Sequence, residues 1–438
     1  MGKQEYQQRR ERLMSSLGKG TLAILPAATE TIRNRDTHYP FRQDSDFQYL
    51  TGFPEPDAVA VFVPGRAQGQ YVLFCRNRDS AAEIWTGRRA GPEGAKQDFG
   101  ADEAFNIDEL DKLLPGLLEG SDQIYYTLGL RADFDQRVIG WLDGLRRKSR
   151  SGVRPPSGVM ALDHPIHEMR LFKSPAEQVV MRQAGQITAA AHRRAMLICQ
   201  PGMYEYQLAA DYSYDFNRHG GTHAYSPIVG GGRNACVLHY EHNDAVLRDG
   251  DLVLVDAGAE IAGYAADITR TFPVGVRFSA EQKAIYEIVL AAQAAAIDKV
   301  RPGNRWNEGH DAAVAVLSQG LIDLGLLTGP LSKVLEEQSY RRFYMHRTGH
   351  WLGMDVHDVG EYKTQGAWRA LEPGMVLTVE PGLYIPAGSE GVDERWWNIG
   401  VRIEDDVLVT ANGHDVLTID APKSVADIEA LRAEGLAA

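Results

Sequence analysis

Apolar and polar positions in the first part of the chain predict strands separated by helices. Residues 132–148 show apolar positions every three or four residues, which is typical of a helix that packs on a core. Short apolar runs typical of buried strands lie at 21–27, 58–63, 70–75 and 123–128. This alternation favours an α/β domain, and we place its end at residue 172.

A residue pattern typical of a helix N-terminus follows that boundary. Ser174 is suited to cap a helix that has Pro175 in its first turn and Glu177 three residues after the cap. The helix is predicted to run to about Cys199, before a Pro-Gly pair. The chain therefore divides into an N-terminal domain, 1–172, and a second domain, 173–438.

The second domain shows the same order of elements twice. A second capping box begins at Ser279, and its helix is expected to end near Val300. In both halves a further helix follows, at 205–218 and at 308–324, and then a strand after a glycine. This order indicates a duplicated α+β domain.

Acidic residues occupy matching places in the two halves. Asp256 and Glu380 each end an apolar strand six residues after a glycine, and Asp267 and Glu404 lie on the following strand. Burying ionised carboxylates is costly unless they are paired or bind a metal. A duplicated domain would bring the four acids together near its pseudo-twofold axis.

The first acidic pair flanks a predicted turn at 261–263. An antiparallel hairpin would place Asp256 and Asp267 close to opposite each other on one face, where they repel unless a cation lies between them. A pair of surface acids is the alternative, which the apolar neighbours of Asp256 disfavour. In the second half Arg402 shares a face with Glu404, and either pairs with it or braces the acidic cluster.

Histidines add nitrogen donors to these acids. His346, His350 and His357 fall within 12 residues of a glycine-rich segment, and His239 lies in CVLHYEH. A lone histidine is more often a core or surface residue than a ligand, but three together indicate a site. Four carboxylates and one imidazole would balance two divalent cations, and oxygen-rich ligation favours Mn²⁺, Mg²⁺, Co²⁺ or Fe²⁺. Two such ions support hydrolysis.

Composition narrows the classes of function. The net charge of −13 argues against binding to nucleic acid or to an anionic membrane. The sequence has no apolar run long enough to span a membrane, and residues 1–17 do not resemble a secretory signal. Cys75, Cys199 and Cys236 are widely spaced, which fits a protein of the reducing cytoplasm.

The segments that carry these residues resemble those of Xaa-Pro aminopeptidases (aminopeptidase P), which are dinuclear metallopeptidases. They are LVDAGAEIAGYAADITRTF, HRTGHWLGMDVHD, GMVLTVEPGLY and VRIEDD, and YPFRQDSDFQYLTGF resembles the N-terminal domain of that family. Methionine aminopeptidase and prolidase share the metal-ligand pattern, so the N-terminal motif favours aminopeptidase P. The resemblance implies an α/β N-terminal domain and a C-terminal α+β pita-bread domain. The pita-bread domain would have an internal pseudo-twofold repeat around a curved antiparallel sheet.

The resemblance also implies a metal site of five residues. Asp256 would bind one ion, His350 and Glu380 would bind the other, and Asp267 and Glu404 would bridge both. The cofactor would be two divalent ions, with Mn²⁺ expected first and Co²⁺, Fe²⁺ or Zn²⁺ as alternatives.

The implied reaction is hydrolysis of an N-terminal Xaa-Pro bond by a hydroxide that bridges the metals. His239 and His357 would contact the substrate and stabilise the tetrahedral intermediate, and His346 would line the proline pocket. Glu380 would move a proton to the leaving nitrogen, and Arg402 would support the acids. Residues 347–349 receive no role.

The sequence leaves two alternatives open. A prolidase would cut only Xaa-Pro dipeptides, and a non-catalytic peptide-binding protein could share the fold. The expected partners are a peptide with proline second and other copies of the chain, as a homodimer or homotetramer, without nucleic acid or membrane.

Overall fold

The computed structural model describes residues 1–437. The described residues divide into two compact units, with the boundary between Arg170 and Leu171. The boundary expected from the sequence lies two residues further along the chain. Each unit has its own cluster of buried apolar side chains. In the part of the chain that is described, no helix has the length and the apolar run needed to cross a bilayer.

The first unit has a mixed six-stranded sheet in the order β6-β5-β4-β1-β7-β8. The strands of this unit are β1 Thr21–Pro26, β2 Ile32–Asn34, β3 Thr37–His38, β4 Val59–Phe62, β5 Tyr71–Cys75, β6 Glu103–Asn106, β7 Gln123–Tyr125 and β8 Gly158–Met160. Strands β2 and β3 form a separate two-stranded sheet. Its helices are α1 Lys3–Leu17, α2 Ser45–Thr51, α3 Ser80–Thr86, α4 Gly91–Phe99, α5 Leu110–Leu118, α6 Ala132–Arg147 and α7 Asp163–Leu171. The α/β architecture expected for this unit is confirmed.

The second unit repeats a pair of helices followed by strands. The helices are α8 Pro175–Ile198, α9 Glu205–Arg218, α10 Ala280–Ile297, α11 Trp306–Asp323, α12 Leu331–Glu336 and α13 Val425–Ala437. Reciprocal capping boxes begin α8 at Ser174 and α10 at Ser279, because in each the cap hydroxyl and the third side chain satisfy each other's backbone N–H. Helix α10 ends three residues before the expected point, and α11 begins two residues early.

The strands of this unit form antiparallel ladders that place the acids. They are β9 Thr222–His223, β10 Ile228–Gly231, β11 Leu252–Ala257, β12 Ala259–Ile261, β13 Tyr264–Ala265, β14 Ile268–Pro273, β15 Lys363–Thr364, β16 Ala367–Trp368, β17 Val376–Val379, β18 Gly382–Ile385, β19 Ile399–Arg402, β20 Asp405–Thr410 and β21 Gly413–Val416. In the first half β11 pairs with β10 and β14, and in the second β17 pairs with β20, and β18 with β19. The expected α+β repeat with antiparallel sheets is confirmed.

One predicted strand is divided in the structure. Glu404 was expected to lie on a strand, but it lies in a break between β19 and β20. The Ile403 N–H donates to the Pro381 carbonyl oxygen at 3.3 Å, whereas the Glu404 N–H donates to the Thr269 carbonyl oxygen of β14 at 3.1 Å. The break therefore links the second half of the unit to the first.

Candidate active site

The first acidic pair lies on the β11–β14 hairpin. Asp256 is opposite Thr269, and the same register places Asp267 opposite Gly258. The two aspartates therefore share a face, as expected, but they are one diagonal step apart and not directly opposite. A Cβ at position 258 would collide with the Ala266 carbonyl oxygen, so only glycine allows the strands to approach this closely.

Glu380 and His350 are held together by a short antiparallel contact. The Glu380 N–H donates to the Thr348 carbonyl oxygen (2.8 Å), and the Thr378 N–H donates to the His350 carbonyl oxygen (2.9 Å). A Cβ at Gly349 would collide with the Thr378 carbonyl oxygen. The segment that carries the histidine therefore lies directly against the strand that carries the glutamate.

The Thr348 side chain points into a polar network behind this contact. Its hydroxyl lies 2.8 Å from His310 Nδ1 and 2.6 Å from the Tyr344 hydroxyl. Burial lowers the pKa of His310 to about 4, with a further contribution from Arg347, so this imidazole is neutral at pH 7. A neutral histidine on α11 thus braces the segment that holds Glu380.

The two halves meet at the carboxylates. The Thr269 hydroxyl donates to Glu404 Oε2 at 2.6 Å, and His350 Nε2 lies 3.4 Å from Asp267 Oδ2 and 3.6 Å from Glu380 Oε1. Asp267, His350 and Glu404 offer ligand atoms that all lie within 4.8 Å of one another. Donor atoms from both halves therefore converge on one point.

The electrostatics of this cluster favour bound cations. Burial, with repulsion from the neighbouring aspartates against attraction from His350 and Arg402, raises the pKa of Glu380 to about 7. Burial and the other acids raise the pKa of Glu404 well above its usual range. Burial alone would lower the pKa of His350, but Asp267 and Glu380 raise it to about 9. Buried oxygen donors that repel one another, with one imidazole beside them, fit a site for divalent metal ions.

The sequence left open whether Arg402 pairs with Glu404 or braces the acidic cluster, and in the structure its ion pair is with Asp256. Its Nη2 lies 2.6 Å from Asp256 Oδ2, and its Nε donates to the Thr269 hydroxyl at 3.0 Å. Its Nη1 donates to the Tyr384 hydroxyl at 3.2 Å. The buried guanidinium therefore ties the first acidic hairpin to the second half.

All nine residues singled out from the sequence line one cavity of about 510 Å³. They are His239, Asp256, Asp267, His346, His350, His357, Glu380, Arg402 and Glu404. The volume is within the usual range for a small-ligand pocket.

The remaining histidines lie around the acids. His346 Nε2 lies 2.9 Å from the Tyr384 hydroxyl, and burial together with Arg402 lowers the pKa of this histidine to about 3. The His357 ring stands edge-on to the His350 ring, with 4.4 Å between centroids. His239 is on the exposed side of the cavity. The three histidines therefore surround the carboxylates as candidate substrate contacts.

Sequence reasoning missed three hydroxyl residues of this site. The Tyr225 hydroxyl lies 2.6 Å from Asp256 Oδ1 and 2.5 Å from Asp267 Oδ1, so it joins the two aspartates. Thr269 and Tyr384 connect to Arg402. Thr269 could have been found from its place two residues after Asp267 on the same strand face. The tyrosines lie in segments whose pattern carries no comparable signal.

Two family models match the chain. The model of metallopeptidase family M24 matches residues 179–411, and the model of the aminopeptidase P N-terminal domain matches residues 6–125. The first match spans the cavity and covers more than half of the chain.

Known proteins resemble the chain over almost its whole length. It is 46% identical to the Xaa-Pro aminopeptidase of Escherichia coli, over 98% of both chains, and 36% identical to human Xaa-Pro aminopeptidase 3, over 97% of this chain and 85% of the human one. Among solved structures, the aminopeptidase PepP of Pseudomonas aeruginosa is 55% identical with a TM-score of 0.99, covering 100% of this chain and 99% of that one. A zinc-substituted aminopeptidase P of E. coli in complex with product is 46% identical with a TM-score of 0.97, covering 99% of both.

Proposed function

This chain belongs to metallopeptidase family M24, and from that premise we propose that it removes the first residue of peptides whose second residue is proline. The observation that carries the proposal is the convergence of four carboxylates and His350 from both halves of the second unit on one cavity. Relatives that match nearly the whole chain are named for this activity. We assign the catalytic domain to residues 173–438 and an aminopeptidase P type N-terminal domain to 1–172.

Two divalent ions would be held by the five donor residues. Asp256 would hold one ion, His350 and Glu380 would hold the other, and Asp267 and Glu404 would serve both. Asp267 contacts Tyr225 on one side and His350 on the other, which supports a shared role. Mn²⁺ suits the oxygen-rich donors, with Co²⁺, Fe²⁺ or Zn²⁺ as alternatives. When bound, these ions supply Lewis-acid activation of water and of the scissile carbonyl.

The residues of the chain then handle protons and position the peptide. The nitrogen of an Xaa-Pro bond has no hydrogen, so it must be protonated as it leaves. We assign the transfer of that proton to Glu380, whose Oε1 accepts from the Thr378 hydroxyl at 3.4 Å and whose Oε2 lies 3.9 Å from His346 Nδ1. Arg402 fixes the Asp256 carboxylate through the 2.6 Å contact and so keeps this ligand oriented.

Three histidines receive substrate roles. His346 is held by Tyr384 and is neutral, which suits a wall of the proline pocket. His357 and His239 line the same cavity and would donate hydrogen bonds to the substrate and to the oxyanion of the tetrahedral intermediate.

The remaining assignments concern the cellular setting. We place the protein in the cytoplasm, in line with its free, widely spaced cysteines. We expect a homodimer or homotetramer, and the net charge of −13 disfavours nucleic acid and anionic membranes as partners.

A peptide assay tests the function. The protein, supplied with Mn²⁺, is incubated with Ala-Pro-Ala and with Ala-Pro, before and after chelation. We expect release of alanine from the tripeptide, lost on chelation and restored by metal. Cleavage confined to the dipeptide would indicate a prolidase, and metal-independent or absent cleavage would overturn the proposal.

A further inference from the structure

Among the arginines that line the cavity, Arg347 is the one that has no acidic partner within residues 1–437. The cavity floor is acidic, and its other guanidinium, Arg402, pairs with Asp256 at 2.6 Å. Arg347 lines the same cavity and is exposed, and within residues 1–437 it forms no ion pair. An arginine that borders a binding cavity without a partner is available to an anionic part of the ligand.

The neighbouring hairpin supports the guanidinium. The Arg347 guanidinium lies over the Trp368 ring, 5.3 Å from its centroid, and Lys363 Nζ lies 4.4 Å from the same centroid. Arginine stacks well on aromatic rings, so the contact limits the positions that this long side chain samples. Lys363 touches the same ring but does not line the cavity.

The charges of the cavity match the two ends of a short peptide. The carboxylates, and the ions that they would hold, suit the free amine end of a peptide, so the rest of the peptide would extend from them towards the exposed side of the cavity. A tripeptide extends at most about 11 Å, so its carboxylate stays close to the cavity. We propose that Arg347 binds the C-terminal carboxylate of tripeptide substrates and so favours short peptides with a free carboxyl end. This inference rests on the proposed function.

Paired substrates isolate this interaction. KM is measured with Mn²⁺ for Ala-Pro-Ala and for the same tripeptide with an amidated C-terminus. For the wild type we expect the amide to have a KM about tenfold higher than the acid, in the range for a partly exposed charged hydrogen bond. In Arg347→Met the ratio of the two KM values should fall to near one, and Arg347→Lys should give an intermediate ratio because it keeps the charge.

Lys363→Met is the matched control, because Lys363 contacts the same ring outside the cavity. It should keep the wild-type ratio. A wild-type ratio near one, or a ratio of about ten that persists in Arg347→Met, would overturn the role of Arg347. Each variant's turnover of the amide reports that it is folded. If the wild type cleaves neither tripeptide, the proposed function itself fails, which is a different outcome.

Discussion

His192 on α8 is a buried imidazole whose protonation should weaken the fold in acid. The Tyr212 hydroxyl donates to its Nδ1 at 2.9 Å, and its Nε2 faces the Ala257 carbonyl oxygen of β11 at 3.3 Å. The side chain is fully buried, and burial, with repulsion from Arg270, lowers the pKa of His192 from 6.5 to about 3. Only the neutral form suits this position.

The size of the stability loss in acid follows from the difference between the pKa values of His192 in the unfolded and the folded protein. A pKa lowered in the folded state means that the stabilising effect is fully present above pH 6.5 and is lost as the pH falls towards 3. The difference between the two pKa values corresponds to a loss of roughly 5 kcal/mol in the free energy of unfolding, or about 1.4 kcal/mol per pH unit. His192→Phe has no titrating group at this position, so it does not lose this stability in acid. It leaves the Tyr212 hydroxyl and the Ala257 carbonyl unpaired, which costs about 2 to 3 kcal/mol of stability at pH 7.

The free energies of unfolding of the wild type and of His192→Phe, plotted against pH, should therefore cross. Urea unfolding of the chelated protein is measured from pH 7 to pH 4 for the wild type and for His192→Phe. We expect the wild type to be more stable at pH 7 and the difference to vanish between about pH 5 and pH 4. Tyr212→Phe, which keeps the imidazole, should retain the wild-type slope. Parallel curves for the wild type and His192→Phe would refute the reasoning.

Other variants test the site. Asp267→Ala should lower the amount of bound metal towards none and the turnover to below about 1% of wild type, whereas Asp256→Ala should keep one ion. Metal analysis and kcat are measured for both variants, and an equal loss of metal in the two would refute a bridging Asp267. Arg402→Met should destabilise the chelated protein by about 3 kcal/mol in urea, with partial recovery in Arg402→Lys; an unchanged midpoint would contradict this. His310→Phe, which loses the 2.8 Å contact to Thr348, should lower kcat about fivefold with KM unchanged, and His310→Asn should recover it; equal kcat in all three would exclude a positioning role.

Local features of this protein were readable from the sequence because they depend on neighbours along the chain. The capping boxes at Ser174 and Ser279 formed where their spacing predicted. The turn expected at 261–263 is present, with positive φ at Ala262 and Gly263 between paired Ile261 and Tyr264. Carboxylates at the ends of apolar strands also marked the cavity, since a core has little use for them.

Contacts between distant segments were decided by the tertiary structure. Arg402 had an acid two residues away but pairs with Asp256, and Tyr225 joins two aspartates that lie more than 30 residues further along. The offset of Asp267 from Asp256 depends on the strand register, and the break at Glu404 depends on β14 packing beside it.

The sequence by itself therefore determined the residue types, the local elements and the repeat of the second unit. Packing of the two halves against each other decided which donors meet, which charges pair and which histidines stay neutral. The physical reason is that hydrogen bonds, ion pairs and desolvation act over a few ångströms in space, whereas sequence patterns report only on neighbours within a turn or a strand.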